Sequence, residues 1–64
     1  MDYIELTLDA ADAEQAKILT AELADFPFES FEQEGARLKA YIPQERLADC
    51  KGEVDALLAR YGVG

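Results

Sequence analysis

From Tyr3 to Leu8 apolar and polar residues alternate, with Ile4, Leu6 and Leu8 on one face and Tyr3, Glu5 and Thr7 on the other. This period-two pattern predicts a half-buried strand. The period then lengthens: Ala16, Leu19, Leu23 and Phe26 fall on one stripe at spacings of three and four, so a helix follows, capped by Asp9 or Asp12. Its stripe is expected to face a sheet, with Ile18 at the flank. Alternation returns where Leu38, Ala40 and Ile42 interleave with Arg37, Lys39 and Tyr41. The strand from Arg37 to Ile42 ends at Pro43, which cannot donate to a sheet ladder. A strand from Phe28 to Gln33 precedes it and returns through Glu34-Gly35. If that pair is a two-residue turn, Glu32 opposes Arg37, Ser30 opposes Lys39 and Phe31 joins Leu38 on the buried face; a three-residue loop would swap the faces. The first register is preferred because it pairs opposite charges. Beyond Pro43, Gln44 to Leu47 read as a short turn, and Asp49 as the cap of a helix to Tyr61 with Cys50, Val54, Leu57, Leu58 and Tyr61 inside. Gly52 costs that helix about 1 kcal/mol relative to alanine, less in a first turn, and Gly62 is a stop signal.

Strand, helix, strand, strand, helix is an α+β order, and it predicts a two-layer ferredoxin-like βαββα sandwich with the closing fourth strand missing. Strands one and three are expected as parallel neighbours. The missing strand would pair with strand one, so its absence leaves unpaired backbone groups along Tyr3 to Leu8. Either that edge is exposed or another chain covers it, and a homodimer through the edge is one such arrangement. One domain over residues 1–64, excised from a longer chain, is the expected organisation.

Composition narrows the function classes. A chain of 64 residues makes one small domain, since about 60 residues bury only ~60% of the surface their unfolded form exposes. No segment approaches the ~20 apolar residues of a membrane span. The acidic N-terminus also lacks the regions of a signal peptide, so a soluble cytoplasmic chain is expected. Fourteen acids against six bases give a net charge of −8, which repels a phosphate backbone and favours a basic or neutral partner. With one cysteine, Cys50, and no histidine, neither an internal disulfide nor the usual zinc clusters are expected.

Catalytic constellations are poorly represented. No histidine is available as a base, and Ser30 lies in a strand without a relay. Cys50 sits on an apolar helix face and reads as a structural thiol. Glu32 with Glu34, and Glu53 with Asp55, read as solvated charge. Gly35, Gly52, Gly62 and Gly64 are too dispersed for a dinucleotide or phosphate loop. No catalytic, cofactor-binding or metal residues are assigned. The open sheet face is the candidate site instead, displaying Tyr3, Glu5 and Thr7 beside Arg37, Lys39 and Tyr41. Tyrosine and arginine are favoured at protein interfaces. Two tyrosines and two bases also invite comparison with RNA-binding sheets, but the basic, glycine and aromatic pattern of those strands is missing and the net charge opposes it.

The words Met1-Asp2-Tyr3-Ile4-Glu5, Ala21-Glu22-Leu23, Phe28-Glu29-Ser30-Phe31 and Ala40-Tyr41-Ile42-Pro43 give the chain a resemblance to a family. They resemble the N-terminus of the bacterial methyltransferase that modifies large-subunit ribosomal protein eleven, the PrmA family, in its Bacteroides-like version. The resemblance runs from Met1 to Tyr61, and its most specific words are Phe28 to Phe31 and Ala40 to Pro43. Pro27 departs from the pattern, because family members usually carry glycine there; a left-handed turn open to glycine is closed to proline, so other geometry is expected. The resemblance implies a substrate-recognition module whose partner is the ribosomal protein. It also implies that S-adenosylmethionine binding and methyl transfer belong to a separate C-terminal domain of the same parent chain. By that implication the 64 residues alone bind no cofactor and are not an enzyme.

Overall fold

A computed structural model describes residues 2–63. The order is β1 (Tyr3–Asp9), α1 (Ala13–Leu23), β2 (Ser30–Glu34), β3 (Arg37–Pro43) and α2 (Gln44–Arg60). The three strands form one sheet in the order β1-β3-β2, an α+β arrangement consistent with a ferredoxin-like fragment lacking one strand. Both helices lie on the same side. Leu8 and Leu38 pack there with Ala16, Leu19 and Leu23 of α1 and with Val54 and Leu57 of α2. No helix among the described residues is long and apolar enough to cross a membrane.

β1 and β3 are neighbours but run antiparallel, not parallel as expected. The chain path explains it. α1 returns the chain so that β2 runs in the direction of β1, and the tight hairpin then reverses β3. Hydrophobic period assigns a face to each residue and carries no information on strand direction.

The hairpin keeps the expected faces but slips by two residues. Glu34 opposes Arg37, Glu32 opposes Lys39 and Ser30 opposes Tyr41, with Phe31 opposite Ala40. The turn is therefore Gly35-Ala36 rather than Glu34-Gly35. Gly35 has φ +62 and no other residue type takes a positive φ among the described residues. A glycine at the first central position suits a type II′ turn, whereas a turn at Glu34-Gly35 with both φ positive would have forced Glu34 into the left-handed region. A slip of two preserves side-chain parity; the expected pairing of Glu32 with Arg37 is replaced by two acid-base pairings, Glu34 with Arg37 and Glu32 with Lys39.

β2 begins at Ser30, later than the expected Phe28. The Glu29 N–H donates to the Tyr41 carbonyl at 2.9 Å while Ser30 also faces Tyr41, the two-against-one arrangement of a β-bulge. The extra residue returns Phe28 to the helix side, where its ring lies 5.7 Å from that of Phe31. Pro27 uses other geometry, as expected: the Phe28 N–H donates to the Phe26 carbonyl at 2.8 Å, a three-residue turn whose central φ suits proline.

Asp12 caps α1. Its Oδ1 accepts the Gln15 N–H at 2.8 Å, and Gln15 Oε1 accepts the Ala11 N–H at 2.7 Å, a close relative of the capping box. Ala16, Leu19 and Leu23 are fully buried, and Phe26 packs beside them just past the helix. Ile18 is 45% exposed, so it stands in solvent instead of covering the flank.

α2 starts five residues before the expected Asp49 cap, directly after Pro43. No side chain caps it. The Gln44 N–H donates instead to the Asp2 carbonyl at 2.9 Å, so the residue just before β1 satisfies a donor that a capping side chain would otherwise take. Leu47 is thereby added to the inner face with Val54 and Leu57, while Cys50, Leu58 and Tyr61 are partly buried. At the other end the Gly62 N–H donates to Ala59 and the Val63 N–H to Leu58, with Gly62 at φ +72 and Val63 buried. That is a Schellman motif, and Gly62 is its stop residue.

The early start of α2 puts Gly52 at mid-helix. A Cβ built there meets nothing within 4 Å, so only the backbone cost of glycine applies. Gly52→Ala is expected to stabilise the fold by about 0.5–1 kcal/mol. A urea midpoint unchanged or lowered by the substitution would show that this site carries a constraint other than helix propensity.

Candidate functional site

Strand register builds the open face row by row. At one end Asp9, Arg37 and Glu34 lie abreast, followed by Thr7, Lys39 and Glu32, then Glu5, Tyr41 and Ser30. Tyr3 closes the far end opposite Pro43. All six expected residues, Tyr3, Glu5, Thr7, Arg37, Lys39 and Tyr41, are therefore on one surface. Asp9, Glu29, Glu32 and Glu34 join them. The period-two signal was sufficient to place Asp9, and Glu32 stands on this face in the expected register too, but Glu34 required the correct register, and Glu29 required the bulge.

These carboxylates alter the chemistry of the face. Tyr41 donates its hydroxyl to Glu32 Oε2 at 2.9 Å, with Glu5 Oε1 at 3.3 Å, and the Tyr3 hydroxyl donates to Glu29 Oε1 at 2.7 Å. The rings are held across the strands rather than projecting freely. Because these bonds favour the neutral phenol, and the carboxylates repel a phenolate, the Tyr3 hydroxyl is pushed up from its ordinary value and that of Tyr41 to about 12. Arg37 pairs with Asp9 at 3.3 Å. Lys39 lies between Thr7 and Glu32 and has no ion pair among the described residues. Carboxylates outnumber cations on this surface, which opposes phosphate approach and disfavours the RNA-binding comparison.

A shallow hollow over the hairpin is lined by Glu32, Gln33, Glu34, Arg37 and Lys39. It is polar and open, unlike the mostly apolar concave sites that hold small ligands. On the helix side Cys50 is partly buried with its thiol 3.5 Å from the Arg46 carbonyl. Desolvation, then the nearby Glu53 and Asp49 charges, push the thiol up from its ordinary value. That is the direction of an unreactive cysteine.

Architecture and surface define a small α+β module, covered by helices on one side of its sheet and bearing an acidic, tyrosine-containing face on the other. The chain is 44% identical over 57 residues to the ribosomal protein L11 methyltransferase of Porphyromonas gingivalis (strain ATCC BAA-308 / W83). The aligned part is 89% of this chain but 18% of that protein, so the chain spans less than a fifth of the curated relative it matches. The similarity supports a relation to such methyltransferases. No family model matches the chain, and no solved structure does.

Proposed function

We propose that the chain is a non-catalytic substrate-recognition domain of a ribosomal-protein lysine methyltransferase. Its similarity to a ribosomal protein L11 methyltransferase carries this reading. The domain docks the ribosomal protein through the face of Tyr3, Glu5, Thr7, Arg37, Lys39 and Tyr41 and positions it for a C-terminal domain that binds S-adenosylmethionine. Its contribution to rate is proximity, because holding the substrate near the methyl donor makes a second-order encounter effectively intramolecular. The acidic surface and the net charge of −8 suit a basic protein partner.

The test is a titration of the isotope-labelled chain with purified ribosomal protein L11, following each backbone amide. Saturable shifts clustered on the open face are expected. No shift at high concentration would overturn the docking role, and methyl transfer by the purified 64 residues would overturn its non-catalytic character.

A further inference from the structure

β1 is an outer strand, and its hydrogen-bond parity can be read from the bonds that flank it. The Gln44 N–H donates to Asp2 at 2.9 Å and the Ala10 N–H to Ala36 at 2.9 Å, and these pairs continue the register of Ile4 with Ile42, Leu6 with Ala40 and Leu8 with Leu38. In an antiparallel pair, hydrogen-bonded positions alternate with positions whose backbone groups point away. Tyr3, Glu5, Thr7 and Asp9 therefore aim both N–H and C=O outward from the sheet. The two sides of this edge differ. Toward the helices, Ile4 and Leu6 are half-buried, whereas their partners Ile42 and Ala40 are fully buried. Toward the open face stand the carboxylates of Glu5 and Asp9.

We propose that the free edge of β1 takes up an extended basic segment of a partner protein as a fourth strand, with Lys or Arg alternating with apolar residues. The alternation follows from the pleat: one set of the incoming side chains lies beside Ile4 and Leu6, and the other beside Glu5 and Asp9. Main-chain bonds supply the pairing, and the two faces of the edge select the sequence. Net charge selects the occupant, because a second copy would bring another −8 to the edge whereas a basic segment is attracted. The proposal rests on the docking reading for its partner and adds the mode of recognition and the chemistry of the recognised segment.

The probe is the capped peptide Lys-Val-Lys-Val-Lys-Val-Lys, titrated into the isotope-labelled chain. Saturable shifts and slowed hydrogen exchange are expected at the amides of Tyr3, Glu5, Thr7 and Asp9. Methylating every backbone nitrogen of the peptide, which keeps its charges and removes its donors, is expected to weaken binding by more than about tenfold. Replacing its lysines by glutamate is expected to abolish binding, and Glu5→Lys in the chain to weaken it while leaving amides of α1 and α2 unmoved. Equal binding of the methylated peptide would overturn the proposal in favour of charge alone. So would edge amides already protected without peptide: protection rising with the concentration of the chain would mean that a second copy occupies the edge, and protection of the same amides in the full-length parent protein would mean that a later segment of the same chain does. Ribosomal protein L11 separates the two readings. Shifts on the Arg37, Lys39 and Tyr41 surface with unchanged exchange along β1 would overturn the edge proposal and leave docking standing; no shifts anywhere would overturn docking.

Discussion

Leu38→Ala is expected to leave the chain largely unfolded at physiological temperature. Leu38 lies on the central strand with no exposed surface, opposite Leu8 and within the cluster formed by both helices. Truncating a buried leucine removes its transfer free energy and leaves a cavity, together about 2–5 kcal/mol. A domain of 64 residues has a total stability of only about 3–10 kcal/mol, and a core this small places it toward the lower end. The loss is thus comparable with the whole. For a domain of this size each 1 kcal/mol lowers the melting temperature by about 4–8 °C, so the variant should melt at least about 10 °C below the parent. Lys39→Ala, one residue along on the opposite face, should change stability by no more than about 0.5 kcal/mol. Thermal unfolding followed by circular dichroism checks both. A Leu38→Ala melting temperature within about 4 °C of the parent would contradict the central place of this strand in the core.

The contrast between Leu38 and Lys39 was legible in the sequence, because alternation alone assigns faces, and the α1 stripe was legible for the same reason. What the sequence left dark has a common physical character. The direction of β3 relative to β1 depends on the path of the whole chain, and the hairpin register depends on which residue takes the positive φ at Gly35. A pattern of period two is unchanged by either. The start of α2 was hidden because the group that satisfies the Gln44 N–H is the Asp2 carbonyl, a partner far away in sequence. Reading Asp49 as a cap assumed that the helix end had to be satisfied locally. The candidate face shows the same division: its tyrosines and bases were legible from parity. Its acidic character was legible only in part: parity placed Glu5 and Glu32 there, whereas Glu29 and Glu34 arrive through the bulge and the true register.

Those carboxylates set up the second large effect. In an alkaline titration followed by phenolate absorbance, Tyr41 is expected to half-ionise at about 12. Relative to an ordinary tyrosine near pH 10, a shift of that size is roughly a hundredfold change in proton affinity. The hydrogen bond to Glu32 is the first cause, so Glu32→Gln should bring the Tyr41 midpoint back toward the ordinary value. Glu34→Gln, on the same face but bonded to neither tyrosine ring among the described residues, should not move it. Tyr3 and Tyr61 are raised as well, through Glu29 and Glu22, so less phenolate should form at pH 10 in the folded chain than in the unfolded one. The linkage to stability has a definite sign. A tyrosine whose folded value lies above its unfolded one binds its proton more tightly when folded, so its stabilisation is fully present below about pH 10 and is lost as the pH rises through the folded value. For Tyr41 that window runs from about 10 to about 12. The tyrosine contribution to urea midpoints should therefore be constant just below pH 10 and fall above it, and Tyr41→Phe should make the fall shallower without removing the part due to Tyr3 and Tyr61. If all three phenols of the folded chain ionised together near the ordinary value, the tyrosine hydroxyls would not be held by carboxylates in solution. The open face would then present free aromatic rings to its partner instead of rings tied across the strands.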